Sequence, residues 1–567
     1  MFKTLPKDPQ MFIQWDWAQI KPYADELVKC PLSSVTLSEW MRDWSDLSRM
    51  LSEMYARLWV ATTLNTADPE YKNRFNTFLD EIYTPSRATN QVLKQMLLDS
   101  GLQPEGFDIP LRNMRVEAEI YRDENLSLLS EEQKLVNEYD EIIAAQTVVW
   151  HGKEITTTQL QPVYLSHDRS KREKAWHLEM KRKLADREKL NQMWVRMLEL
   201  RYRIAANAGF KDYRLYRWKE LLRFDYTPED CTQFHRAIEQ VVVPAASRIY
   251  EKRQKQLGLA ILHPWDLNVD PLGREPLKPY QTITELEDKV SAIFHKVDSE
   301  LGKYFEIMRS QGLLDLENRK GKAPGAYCNN YDMVRLPFIF ENAVGLHTDV
   351  ATLLHEGGHA FHVFEEAHLP YYQQLQVGME FGEVASMAME FLSSPYLVAS
   401  EGGFYSEKDA ARARIEHLEE SLLFWPYMAV VDGFQHWAYT NQVAALNPDN
   451  CDRMWSELWE RYMIGVDWSG LDDQMVTGWQ RKIHIFEVPF YYVEYGLASM
   501  GAFQVWANAL KDQRGAIAAY RRALALGGTV PIPKLYASAG VKFAFDAEAL
   551  QKVVDLAEEM IVQFGKV

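Results

Sequence analysis

The pentapeptide His355-Glu356-Gly357-Gly358-His359 fits the pattern H-E-x-x-H. On a helix, residues i and i+4 lie one turn apart on one face, so both imidazoles reach a single metal ion. Glu356 stands beside them, placed to act as general base on a zinc-bound water, whose pKa zinc lowers to about 7. The pattern therefore predicts a hydrolase centre with one zinc ion per chain. Three protein ligands and one open position are the usual catalytic arrangement, so a third ligand is needed.

Three acidic or imidazole candidates follow the motif. His362 lies at i+7 on the same face, but three ligands stacked on successive turns place the metal nearly in line between the outer two, which suits tetrahedral zinc poorly. Glu365 occupies the place of the third histidine in H-E-x-x-H-x-x-G-x-x-H proteins, yet His362 stands where that pattern has its turn glycine. Glu383 follows His355 by 28 residues, enough for a second helix to cross the first. The segment Glu383 to Glu390 reads as that helix, with two acids at i,i+7 on an otherwise small and apolar face. Acids on such a helix need partners. Glu383 is taken as the third ligand, Glu390 as its buried supporting partner, and Glu380 as a weaker rival.

The elements that carry these residues are legible as helices. Thr348 is the expected cap of the motif helix, with Asp349 in its first turn and Val350, Leu353 and Leu354 on its buried face. Gly357 and Gly358 cost such a helix roughly 1 kcal/mol each, which suggests that another helix or a substrate chain approaches closely there. Elsewhere Thr36-Leu37-Ser38-Glu39 reads as a capping box, and Thr227-Pro228-Glu229-Asp230 opens a second long helix. Thr282-Ile283-Thr284-Glu285 begins a third, running towards Phe305. Residues 147–158 suggest a β-hairpin, residues 324–345 a short sheet, and the proline-rich stretch from Leu257 to Gln281 a long loop. The fold class is mostly α with a small β-sheet near the zinc site. A helical region, residues 1–200, precedes a catalytic region, residues 201–567.

Composition sets the frame. With 567 residues, 47% apolar and 25% charged, the chain has the balance of a globular protein. A net charge of −17 argues against nucleic-acid binding. Four scattered cysteines without a C-x-x-C pair suit a reduced, cytoplasmic protein. The stretch Met1 to Asp8 lacks the apolar core of a secretory signal, and no run of about 18 uncharged apolar residues predicts a membrane span. Oligomeric state is not readable.

Around the motif, the sequence from Asp349 to His362 resembles the thimet oligopeptidase and oligoendopeptidase F family of zinc peptidases. The resemblance continues through Phe381-Gly382-Glu383-Val384-Ala385-Ser386-Met387, where the family places its glutamate ligand. It extends to Gly321–Cys328, to Pro337–Asn342 and to His484–Tyr495. It covers most of residues 160–560, and its order fits the oligoendopeptidase F branch. The resemblance implies a mostly helical ellipsoid split by a deep channel, with the N-terminal region forming part of the wall. Short unstructured peptides would be cut at internal bonds, with the run 336–340 pairing with an extended substrate.

The same resemblance implies that His484, Tyr492 and Tyr495 stabilise the developing oxyanion. Helical geometry alone favours Tyr491 beside Tyr495, but Pro489 interrupts the register. One departure from the family is the glycine at the first x of the motif, where a bulkier residue is common. Competing readings are a zinc carboxypeptidase or peptidyl dipeptidase, and a non-catalytic helical peptide-binding protein.

Overall fold

Thr227 accepts from the Asp230 N–H while the Asp230 carboxylate accepts from the Thr227 N–H, and the helix Pro228–Leu257 starts from this box. This chemistry recurs along a mostly helical chain with only two small sheets, seen in a computed structural model that describes residues 5–567. The first half of the stretch from Met1 to Asp8, read above for a leader, lies outside the described residues. Among them, no helix is long and apolar enough to cross a membrane.

Two expected starts are built differently. Leu37–Leu64 is a helix, but Thr36 is already helical in φ and ψ, and its hydroxyl donates back to the Pro31 carbonyl instead of capping. The helix from Ile283 ends at Val297 rather than running on to Phe305. Asp298 is extended there, and its carboxylate caps a new helix, Ser299–Ser310.

The hairpin of β1 (Thr147–Trp150) and β2 (Lys153–Thr156) turns through His151 and Gly152, both at positive φ as a type I′ turn requires. The second sheet has the order β3 (Leu314–Glu317), β5 (Leu336–Ala343), β4 (Tyr327–Tyr331). The run 336–340 therefore cannot add a substrate strand. It lies at the centre of the sheet with both of its edges paired, and the free edges belong to β3 and β4.

From β5 the chain passes directly into the motif helix, His347–Glu366. Thr348 is inside this helix, not its cap. Asp349 serves instead, its Oδ2 accepting the N–H groups of Val344, Gly345 and Leu346 at 2.7–2.9 Å. A carboxylate in the first turn also meets the positive end of the helix dipole. Strand and motif helix are thereby locked together.

The main hydrophobic core runs through the helices Pro228–Leu257, His347–Glu366, Met379–Ser393, Glu407–Thr440 and Tyr492–Ala509. A separate core is made by residues between Leu5 and Met114.

Candidate active site

The two glycines of the motif explain how the site is assembled. A Cβ on Gly358 would lie 2.3 Å from the Ala385 carbonyl oxygen and 2.6 Å from the Ser386 Cα, so the helix Met379–Ser393 packs backbone to backbone against the motif. A Cβ on Gly357 would lie 2.4 Å from Cζ of Phe294. The helical propensity lost at these positions is exchanged for an approach that only glycine permits.

That approach carries Glu383 to the histidines. His355 Nε2 and His359 Nε2 lie 3.2 and 3.3 Å from Glu383 Oε2. Two ligands on one tetrahedral zinc, with bonds near 2.1 Å, are separated by about 3.4 Å, so these atoms already have the spacing of a shared ion. The ligand atoms of His355, His359 and Glu383 all lie within 4.8 Å of one another.

A second layer orients them. The His355 Nδ1 donates to Glu390 Oε1 at 2.7 Å, and the other oxygen of Glu390 is 2.8 Å from His417 Nε2. A carboxylate behind a ligating imidazole fixes its tautomer and raises its basicity. Ser386 Oγ and Tyr491 OH donate to Glu383 at 2.9 and 2.5 Å. Burial works against the charge on Glu383, but His359 and His355 outweigh it and hold the carboxyl well below its usual range. Burial likewise opposes charge on His355, yet Glu383 and Glu390 hold its pKa well above the usual value. The two carboxylates thus favour positive charge at the imidazoles, whether a proton or a bound cation supplies it.

Glu356 differs. It is buried, and its Oε2 has no hydrogen-bond partner. Burial raises its pKa, against the pull of His355 and His359. An unengaged carboxylate of raised basicity facing the same cavity has the properties of a general base.

The cavity measures about 440 Å³ and is lined by the motif, by Glu383, by β4 from Tyr327 to Asn330, and by Tyr491 and Tyr495. Ser52, from the N-terminal helix Leu37–Leu64, also reaches it. The remaining candidates fall in different places. His362 lines the cavity, its ring held neutral because burial and then His359 lower its pKa to about 3. Glu365 pairs with Arg521 at 2.7 Å, and Glu380 accepts from Tyr226 OH at 2.7 Å. Neither lines the cavity.

The aromatic segment places its residues unevenly. Phe490 adopts φ of +66°, its N–H donating to Gln435 Oε1 at 2.7 Å and its carbonyl accepting from Arg223 at 2.5 Å. This turn separates the short helix Ile483–Phe486 from Tyr492–Ala509 and aims Tyr491 at the cavity. Tyr492 points away. It packs on Phe424 and Tyr427 and lies under the Lys482 ammonium, 3.9 Å from its ring centre. His484 lies behind Tyr495, with Nε2 3.3 Å from the Tyr495 hydroxyl. Sequence reasoning missed His417 and Ser52, which carry no local signal, and set Tyr491 behind Tyr492.

A helix bearing two histidines, a carboxylate from a crossing helix and a free buried glutamate define a metallohydrolase. Comparison supplies the family. Residues 163–555 match the sequence model of peptidase family M3, and the chain belongs to that family. It is a metallo-oligopeptidase, an endopeptidase with peptide substrates. Among solved structures, PZ peptidase A with an inhibitor superposes with a TM-score of 0.91 at 26% identity, covering 98% of this chain and 99% of that one. An oligoendopeptidase F, described as putative, gives 0.91 at 28% identity over 97% of both chains. A second, from Bacillus anthracis, shares the fold with a TM-score of 0.87 at 23% identity over 97% of both chains. Comparison with curated proteins returns no match.

Proposed function

We propose that the metal is zinc, one per chain, held by His355, His359 and Glu383, and that Glu356 is the general base. The observation that carries this reading is the convergence of both imidazole Nε2 atoms on one oxygen of Glu383 beside the unpartnered Glu356 carboxylate. Zinc in this donor set would supply Lewis acidity, acidifying water and polarising a carbonyl oxygen. The residues supply the rest. Glu356 takes the proton of the attacking water and returns it to the leaving amine. Tyr495, backed by His484, directs its hydroxyl at the place where the carbonyl oxygen becomes charged, whereas the Tyr491 hydroxyl is donated to Glu383 and orients that carboxylate. Tyr492, expected from the resemblance, packs elsewhere and has no part in this proposal.

The substrate is a short unstructured peptide laid along the free edge of β4, whose residues Tyr327 to Asn330 line the cavity. Residues 1–200 would contribute a channel wall and residues 201–567 the catalytic region, a division supported by Ser52 at the cavity. Four free cysteines suit a cytoplasmic setting.

The substitution Glu356→Gln tests the mechanism. It should leave the metal content unchanged and lower kcat by about a thousandfold, read by metal analysis and by cleavage of a peptide blocked at both termini. Near-normal kcat in the metal-loaded variant would remove Glu356 from the mechanism. Failure of the wild type to cut the blocked peptide, with cleavage of unblocked ones, would favour an exopeptidase.

A further inference from the structure

Ser52 and Tyr372 border two cavities at once: that of the metal centre and a second one of about 430 Å³ inside the N-terminal helical layer. At the junction Ser52 Oγ donates to Asp332 Oδ2 at 2.6 Å, just past the end of β4. A peptide following the edge of β4 beyond Tyr331 therefore meets the mouth of the second cavity. Its size falls within the range of about 300–1,000 Å³ typical of small-ligand sites.

The walls are aromatic. Trp44, Tyr55, Phe78, Tyr83 and Tyr372 line the space, with Tyr55 and Tyr83 in ring contact at 5.6 Å. Into this lining projects one cation, Arg87, from the helix Thr84–Ser100. Its Nη1 donates to the Tyr83 hydroxyl at 2.9 Å, and its guanidinium carbon is 5.5 Å from the Tyr83 ring centre. Among the described residues Arg87 makes no ion pair. Glu220, whose charge reaches it, is bound by Arg217 at 2.6 Å. A guanidinium donates five N–H groups in a planar fork suited to a carboxylate, and here only one neutral acceptor is engaged.

We propose that this cavity is an extended substrate subsite in which Arg87 binds a carboxylate of the peptide while the aromatic walls hold an adjoining apolar side chain. The carboxylate is either the C-terminus of the peptide or an acidic side chain remote from the scissile bond. An α-ammonium is disfavoured by the same charge. The proposal rests on the oligopeptidase reading and adds to it a reason why peptides of a certain reach and ending are preferred.

The test uses quenched-fluorescent peptides of increasing length, each made as the free acid and as the C-terminal amide. A parallel amidated set carries Glu or Gln at the distal position. For peptides long enough to reach the cavity, the wild type should favour one carboxylate form by about tenfold in kcat/KM, mostly through KM. An acid-over-amide preference identifies the C-terminus, and a Glu-over-Gln preference identifies a side chain. Arg87→Gln should reduce that ratio to near one, and Arg87→Lys should retain part of it. A wild type that cuts every pair alike overturns the proposal, as does an Arg87→Gln variant that keeps the wild-type ratio. A wild type that cuts none of the peptides defeats the oligopeptidase reading itself, so the two failures are distinguishable.

Discussion

Among the described residues, two clusters bring three side chains of metal-ligating type within 4.8 Å: His355, His359 and Glu383 in the cavity, and Cys231, Asp432 and His436 in the core. Their surroundings set them apart. At the cavity, each imidazole presents Nε2 to one oxygen, and His355 gives its other nitrogen to Glu390. Both nitrogens that face the carboxylate are thus available as ligands. In the core, Arg214 donates to His436 Nδ1 at 3.3 Å, so the ring proton sits on Nε2, 3.2 Å from Asp432 Oδ2. His235 Nε2 reaches the same oxygen at 2.9 Å. Burial and then Asp432 push the Cys231 thiol well above its usual pKa, which keeps it protonated. Asp432 Oδ1 and His436 Nε2 have no hydrogen-bond partner there, and with the ring proton on Nε2 and the thiol protonated, Asp432 Oδ1 is the one unengaged oxygen acceptor where a metal needs several donors. Proximity of ligand types is common to both; what distinguishes a metal centre is which atoms still have lone pairs to give.

The largest test of that distinction is removal of one candidate ligand from each cluster. Glu383→Ala should abolish stoichiometric metal binding and with it turnover, measured by metal analysis after dialysis. Zinc stoichiometry that survives would reassign the third ligand. Cys231→Ala should leave the metal content at that of the wild type. A loss there would show that the core cluster holds an ion and would collapse the contrast.

A second test lies within the aromatic segment. Tyr495→Phe should lower kcat by about a hundredfold if its hydroxyl meets the developing oxyanion, with the metal retained. Tyr492→Phe should change kcat by less than about twofold, because its ring packs on Phe424 and Tyr427 outside the cavity. The reverse order would restore the spacing implied by sequence resemblance.

This segment also shows where sequence stops being legible. The motif and Glu383 could be found because helical periodicity and the cost of burying acids are local arguments. Glu390 followed from the same face. The placement of Tyr491 depends on Phe490 holding a positive φ, a conformation that its own residue type disfavours and that Gln435 and Arg223 impose from distant helices. The expectation of an edge strand at 336–340 fails for a related reason. The run 336–340 has the apolar pattern of a buried strand, but which strand is left at the edge depends on the pairing of β3 from earlier in the chain. Ser52 meets Asp332 across 280 positions, a contact that no local pattern encodes. The fold class and the meeting of His355, His359 and Glu383 were therefore readable, whereas the strand pairing and the contacts across the cavity were not.

The smallest effect concerns acid stability. In the core cluster, burial outweighs Asp432 and holds the His436 pKa below the ordinary 6.5. As pH falls through about 6.5, the unfolded chain takes up this proton before the folded one does, so stability is lost on acidification. Asp432 acts in the same direction at lower pH. Burial opposes its charge, but His436 and His235 hold its carboxyl far below the ordinary 3.8, so the unfolded state again binds the proton first. His436→Gln should therefore flatten the dependence of unfolding free energy on pH below about 6.5 by at most about 1.4 kcal/mol per pH unit. Denaturant titrations of the metal-loaded protein at several pH values would measure it. An unchanged slope would mean that His436 is already charged in the folded protein, and the core cluster would then be an ion-pair network rather than a neutral, closed one.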